Sequence, residues 1–538
     1  MSAVTAAFLL AIFCFAGQAR SAQSAAASIG EVVDPLPHIV FVVADDLGFH
    51  DLGFRGTRIK TPNLDSLALG GVVLEQYYVQ PVCTPSRASF MTGRYPFRYG
   101  LQHYVMQGGH DYGLFLNETL IPEKLKGAGY MNHAVGKWHL GMCSWKHTPT
   151  FRGFDSYFGF YGGGEDYYTH KHGGYDMRRD KQPNCGEGCS EVAWDAQGHY
   201  STHLFAGEAV GIIQEHDVTK PLFLYAPFQA VHAPDEVPES YIEPYNTTIP
   251  DKKRRTFAGM LSALDEGVGN ITKALMQKDM WNNTVFVFST DNGGPIAGSS
   301  RCHICGDNTG TNNYPLRGGK HTLWEGGVRG TAFVHSKRIS KPGTKRYGLM
   351  HAVDWFPTFL ELARLDPDHP PTFPLDGVSQ WTMISEGVNS SRSEIVLNID
   401  SLHNTLGPKR EGGGGDAAFR QGDWKLTVGD PGPPDIWSAN PTNSSEHVPD
   451  AVQAAKTHNF KMMVGAANKT VQLFNIASDE REMHNVAEQN PSVVTAMLSK
   501  LMQYAEEKVP PLFSFGPADP KSNVKNFNDT WTPWTDDC

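Results

Sequence analysis

The run His38-Ile39-Val40-Phe41-Val42-Val43-Ala44 constrains this chain more than any other stretch. After the histidine it is apolar without alternation and rich in β-branched residues. Such a run is a strand buried on both faces, which requires helices packed above and below its sheet. The signature returns at 221–226 (PLFLYA) and 284–289 (TVFVFS), and in shorter form at 130–135 and 331–334. Between these runs lie stretches of helical period at 121–129, 202–215, 261–276 and 353–365. Strands alternating with amphipathic helices predict an α/β protein with a large, mostly parallel sheet. The aromatic, glycine-rich segment 151–164 reads as ordered loop.

The pattern changes after the glycine run at 412–415. Short strands at 424–428 and 471–474 and a helix at 493–508 predict a smaller α+β domain. The expected division is a large domain at 36–410 and a smaller one at 417–538. The Pro- and Asn-rich segment 513–538 is expected to wrap the surface.

The chain has 538 residues and a net charge of −11, with no basic stripe, which argues against nucleic acid as a partner. Residues 6–17 (AAFLLAIFCFAG) are apolar but too few to span a bilayer, and small residues follow. Residues 1–22 therefore read as a secretory signal peptide, cut near Ala19 or Ala22. No later run is long enough for a transmembrane helix. Sequons at Asn117, Asn246, Asn270, Asn282, Asn389, Asn443, Asn468 and Asn528 agree with that route, so the expected location is lysosomal or extracellular.

Of eight cysteines, Cys14 leaves with the signal peptide. With Cys83 set apart, six remain, and an even number fits disulfides in an oxidising compartment. Cys185 and Cys189 are close enough in sequence to close a small loop. Cys302 and Cys305 allow the same or a metal site, although no second CxxC completes a zinc set. Cys143 and Cys538 are left to pair by elimination.

Polar residues of catalytic type follow the strand runs. Asp45-Asp46 ends the first, Lys137 and His139 follow the run at 130–135, His232 lies just past 221–226, and Asp291-Asn292-Gly293-Gly294 ends 284–289. In an open α/β sheet that edge is where ligands bind. Asp45, Asp46, Asp291 and Asn292 offer oxygen only, which suits Ca²⁺ or Mg²⁺ over zinc, and flexible carboxylate and amide ligands favour Ca²⁺. Lys137 and His139, two residues apart on extended backbone, share a face.

The stretch from Cys83 to Arg94 reads CTPSRASFMTGR. Thr84 suits a helix N-cap and Pro85 the first helical position. Cys83 is then expected at the mouth of a helix, where the dipole lowers a thiol pKa and favours a bound anion.

C-x-P-S-R followed by T-G-R resembles the signature of the sulfatase family. VVADDLG, GKWHLG, VHAP, DNGG and RGGK appear in the order that family shows, spanning residues 42–320. The phrases at 136–141, 152–158, 315–330 and 375–377 are most similar to the arylsulfatase B (N-acetylgalactosamine-4-sulfatase) group. The resemblance implies an alkaline-phosphatase-like sulfatase fold and hydrolysis of sulfate monoesters on sulfated sugars or aryl sulfates. It implies that Cys83 becomes Cα-formylglycine, made by a formylglycine-generating enzyme, and that its hydrate is the nucleophile. One Ca²⁺ would be held by Asp45, Asp46, Asp291, Asn292 and the Cys83-derived residue. Arg87 would hold the hydrate, Lys137 and Lys320 would grip sulfate oxygens, His232 or Lys320 would protonate the leaving alcohol, and His139 would serve as base.

The segment 299–311 departs from the arylsulfatase B pattern as an insertion near the pocket rim. Two other readings make different predictions. A metal-dependent phosphatase or phosphodiesterase of the same superfamily needs a Ser or Thr nucleophile and two metals. An inactive sulfatase-like binding protein would keep Cys83 as a thiol.

Overall fold

The computed structural model describes residues 34–296, 310–366, 372–400, 417–433, 436–440, 461–464, 467–513 and 517–538. The expected signal peptide, Cys302, Cys305, the glycine run at 412–415 and most of the insertion at 299–311 lie outside the described residues. The chain separates into Met1–Pro35, of which only Asp34 and Pro35 are described, and one compact unit, Leu36–Cys538.

Four strands at the centre of a ten-stranded sheet position the site: β1 (His38–Ala44), β2 (Met131–Lys137), β3 (Leu222–Pro227) and β4 (Thr284–Thr290). The sheet order is Thr344–Arg346, Val72–Leu74, Ala332–Ser336, β4, β1, β3, β2, Ser156–Phe160, Arg178–Asp180, Ser190–Val192. The four labelled strands and Ser156–Phe160 run parallel, and antiparallel pairs flank them. The mostly parallel α/β sheet expected from the sequence is therefore present.

Both faces of β1 are covered. Val40, Val42 and Ala44 join one core, shared with Phe205 and Ala209 of helix Ser201–Glu215 and Leu261, Leu264 and Val268 of helix Lys252–Gln277. Ile39, Phe41 and Val43 join the other, with Phe90, Trp355 and Phe359. The period of two in a fully apolar strand is thus used on both sides, and each such side chain contributes roughly 1.5–3 kcal/mol by leaving water.

The segment at 151–164, expected as loop, contains the strand Ser156–Phe160. Its glycine explains the discrepancy. Gly159 pairs with Gly136 of β2, and a Cβ on Gly159 would stand 2.0 Å from the Gly136 carbonyl oxygen. Two glycines let the strands approach, and neither carries a β-forming side chain for the sequence to display.

A five-stranded antiparallel sheet follows, ordered Glu394–Ile399, Ala417–Gln421, Trp424–Val428, Ala467–Asn475, Lys461–Val464. Helix Pro491–Glu506 packs on it through Val494, Met497 and Leu501. Its first strand, Glu394–Ile399, lies ahead of the expected boundary at 410–417. Tyr95, Phe97 and Val353 of the large domain share its core.

The last segment pairs with the short two-stranded sheet of Lys171–His172 and Gly174–Tyr175: Tyr175 N–H donates to Asp529 O and Trp531 N–H to Tyr175 O, each at 2.8 Å. Disulfides join Cys143 to Cys538 and Cys185 to Cys189.

Candidate active site

Helix α1 (Cys83–Thr92) begins at Cys83 itself, with Val82 at the cap. The expected Thr84 N-cap is not formed. Thr84 Oγ1 instead donates to His139 O at 3.3 Å and accepts from Met106 N at 3.1 Å, tying the helix to the loops beside it. Nor is the helix amphipathic: all ten residues are buried, because it lies inside the core.

Cys83 Sγ lies 3.4 Å from Asp45 Oδ1. The expected low thiol pKa is not what this position gives. Burial first, and the Asp45 carboxylate second, push the Cys83 thiol up. A thiol here is a poor nucleophile, whatever the helix dipole contributes.

The four oxygen ligands expected from the sequence come from neighbouring strands. Ala44 pairs with Thr290, so Asp45-Asp46 and Asp291-Asn292 leave β1 and β4 side by side. Asp45, Asp291 and Asn292 are wholly buried. Asn292 Nδ2 donates to Asp46 Oδ1 at 2.7 Å. Asp291 Oδ1 and Asn292 Oδ1 are buried without a hydrogen-bond partner. Two unpartnered buried oxygens beside two further carboxylates fit a hard cation: it satisfies atoms that otherwise carry a desolvation cost of about 1–3 kcal/mol each. Metal-capable atoms of Asp45, Asp46, Cys83 and His232 lie within 4.8 Å of one another.

Three cationic side chains face these carboxylates. Arg87, one turn along from Cys83, donates from Nε and Nη2 to Asp291 Oδ2 at 3.0 and 2.9 Å, and from Nη2 to Asp45 Oδ2 at 3.3 Å. Its guanidinium thus braces carboxylates. Lys137 Nζ lies 2.5 Å from Asp45 Oδ2, and Lys320 Nζ 2.9 Å from Asp46 Oδ2. Burial alone would raise the Asp45 pKa, but Lys137, His232 and Arg87 hold it well below the usual carboxylate range. Asp291 goes the other way, up to about 6, through burial and the neighbouring Asp45 charge.

The two histidines follow the neighbouring strands β2 and β3. His139 Nε2 donates to Met106 O at 3.0 Å, which leaves the buried Nδ1 as the unprotonated nitrogen. Burial and then Lys137 hold its pKa well down. His232 Nδ1 donates to Ala233 O at 2.6 Å, and its Nε2 faces Asp46 Oδ2 at 3.7 Å. Burial and Lys320 lower its pKa as well.

The loop carrying Lys320 is fixed by both sheets. A Cβ on Gly319 would meet Gly294 O at 2.4 Å, so only glycine lets this loop approach the Asp291 turn. Arg317 Nη1 donates to Glu482 O at 2.8 Å, and its guanidinium lies 3.5 Å over the Trp324 ring. Lys425 of the small sheet bridges the buried Glu325 and Glu482 at 3.0 and 2.8 Å.

Every residue singled out from the sequence is therefore brought to one edge: Asp45, Asp46, Cys83, Arg87, Lys137, His139, His232, Asp291, Asn292 and Lys320. Sequence reasoning missed Tyr104 and His321, whose rings stack at 5.8 Å beside Lys320. Burial raises the Tyr104 pKa, and Lys320 and Cys83 act on its phenol. His321 could have been noticed next to Lys320, but nothing local marks Tyr104.

Comparison with known proteins gives concordant results. The family model described as Sulfatase matches residues 37–365. The chain is 41% identical to mouse (Mus musculus) arylsulfatase J, across 93% of this chain and 80% of that protein. It is 33% identical to mouse N-acetylgalactosamine-6-sulfatase, across 68% of this chain and 69% of that protein. Among solved structures, Ps i-CgsB in complex with k-i-k-neocarrahexaose superposes with a TM-score of 0.69 at 28% identity, covering 92% of this chain and 97% of that one.

Proposed function

The chain belongs to the sulfatase family and is a sulfuric ester hydrolase, and we propose that it cleaves sulfate monoesters of sugars with a Cys83-derived formylglycine hydrate held beside one Ca²⁺. The observation that carries this reading is the pair of unpartnered buried oxygens on Asp291 and Asn292, set beside Asp45, Asp46 and Cys83. The buried thiol agrees: as cysteine, residue 83 would hold its proton more tightly than a free thiol.

When bound, the cation would supply positive charge toward the sulfate oxygens, and the hydrate would supply a hydroxyl nucleophile that is restored when water adds back to the aldehyde left after sulfate departs. This chain's own residues do the rest. Asp45, Asp46, Asp291 and Asn292 hold the cation. Arg87 fixes Asp45 and Asp291 relative to each other and stands behind the hydrate. Lys137 and Lys320 place ammonium groups where negative charge grows on the sulfate oxygens, in a buried site where such charges act strongly. His139, neutral with Nδ1 bare, takes the proton from the hydrate's second hydroxyl. His232, whose Nε2 faces the site beside Asp46, would deliver a proton to the leaving alkoxide after first taking one up at that nitrogen.

The relatives named for sulfated N-acetylgalactosamine and the neighbour bound to a carrageenan hexasaccharide support a sulfated saccharide as substrate. A secretory route, lysosomal or extracellular, is supported by the two disulfides and by six sequon asparagines, Asn117, Asn246, Asn270, Asn282, Asn389 and Asn528, all exposed. Among the described residues no helix is long and apolar enough to cross a membrane. Maturation would then require a formylglycine-generating enzyme acting on the CTPSR segment.

The deciding experiment is mass analysis of the Cys83 peptide from protein made in a secretory host, together with sulfate release from 4-nitrophenyl sulfate. Aldehyde at residue 83 with turnover supports the reading. An unmodified thiol in fully active protein overturns it.

A further inference from the structure

We propose that a second pocket, on the same edge of the sheet as the sulfate site, binds a neighbouring unit of an anionic oligosaccharide substrate. The inference rests on the sulfatase reading and extends it to the substrate's length and charge.

The pocket holds about 430 Å³, enough for a sugar-sized group. Helix Lys252–Gln277 leads into β4 and so runs back along the sheet, which places its amino end, with Asp251 and Arg254, at the edge carrying the active site. Two lining residues touch the catalytic loops. Thr311 packs against Gly294, where a Cβ would meet its own at 2.7 Å. Ile296 packs against Gly319, next to Lys320, with its Cγ1 3.1 Å from a Cβ placed there. The pocket is therefore separated from the sulfate-gripping lysine by a single layer of loop.

Its chemistry suits an anionic sugar. The half-buried Trp437 supplies an aromatic face, the kind of surface on which the C–H side of a sugar ring packs. Arg58 is exposed at the mouth, and its Nη1 donates to Thr248 O at 3.1 Å. A guanidinium's planar fork has the geometry that receives a sulfate or carboxylate. The second cation is compensated within the wall, while the exposed Asp251 keeps its negative charge. Arg254 is held by Asp51 at 2.5 Å, and Asp251 caps the helix by accepting Arg254 N–H at 2.7 Å. Arg58 is left as the cation that sets the pocket's preference. In a chain of net charge −11, such local placement is what attracts an anionic polymer.

The test uses a chondroitin sulfate tetrasaccharide as inhibitor of 4-nitrophenyl sulfate turnover by the full chain. Two surface variants are compared with wild type: Arg58→Ala, which removes the cation, and Ala439→Trp, which fills the pocket from an exposed lining position. The expected result is an inhibition constant raised about tenfold in both, as for loss of one charge-assisted contact, with kcat/KM for the aryl sulfate unchanged. An unchanged inhibition constant in both variants overturns the proposal, as does absence of inhibition in wild type or an equal loss on the aryl sulfate. If wild-type protein releases sulfate from neither the aryl sulfate nor the tetrasaccharide, the formylglycine and Ca²⁺ reading falls instead, and calorimetric titration of the same tetrasaccharide into the three proteins judges the pocket by the same shift in affinity.

Discussion

Arg87 engages Asp291 through one carboxylate oxygen only: Nε and Nη2 converge on Oδ2 at 3.0 and 2.9 Å, while Oδ1 has no hydrogen-bond partner. The guanidinium thereby does two things at once. It stabilises a buried negative charge, and it fixes the carboxylate so that the other oxygen points to where a cation is expected. A lysine, with a compact charge and no planar fork, would not impose that orientation.

Arg87→Lys is therefore expected to keep the fold and lose most of the activity, by roughly 10–100-fold, as for loss of a group that orients a metal ligand. Turnover of 4-nitrophenyl sulfate across added Ca²⁺ checks this. Activity recovering at high Ca²⁺ identifies weakened metal binding as the cause.

Removing Ca²⁺ with a chelator is expected to abolish turnover and lower the melting temperature, with both restored by Ca²⁺. A ligand present at a hundredfold over its dissociation constant stabilises by about 2.7 kcal/mol, so the shift is measurable by calorimetry. Asn292→Ala should show a smaller shift, having lost one oxygen ligand.

Cys83→Ala is expected to reduce turnover by about 10⁴-fold or more, the scale of removing a nucleophile that acts as part of a unit. Lys320→Ala, which removes one stabilising charge, should cost about 10²–10³-fold in kcat. Stopped-time sulfate release separates the two.

Acid should destabilise the protein through His38. Its Nδ1 accepts the Leu222 N–H at 3.1 Å, so protonation breaks a β1–β3 contact. Burial and then His216 lower its pKa from 6.5 to about 4. Because the folded value lies below the unfolded one, this histidine's contribution is fully present above pH 6.5 and is lost as pH falls toward 4. The loss approaches about 3 kcal/mol at most. Denaturant melts of His38→Asn against wild type between these limits should show a shallower fall in the variant.

Reduction or Cys538→Ala should release the terminal segment from Cys143. A crosslink spanning 395 residues stabilises by several kcal/mol in the chain-entropy picture, with 2–5 kcal/mol typical of a native disulfide. A lowered melting temperature with nearly unchanged kcat is expected, since the bridge lies outside the active site.

Much of the architecture was legible in sequence because it rests on local rules. A strand such as His38–Ala44, apolar on both faces, has no stable place except between helices, and the polar residues that follow it must emerge at the sheet's carboxyl edge. That logic placed Asp45, Asp46, Asp291 and Asn292 side by side at one edge, where the structure has them. Other features depend on which elements become neighbours. Ser156–Phe160 is a strand because Gly159 fits against Gly136 across the register, a fit neither segment displays alone. Tyr104 reaches Lys320 and Cys83 only through the packing of its loop. The thiol of Cys83 is the sharpest case. Its sequence position promises a helix mouth and a lowered pKa, yet full burial beside Asp45 raises it. Local sequence determined which groups stand at the edge. Tertiary structure decided their distances and their loss of water, and it is those that set charge and reactivity.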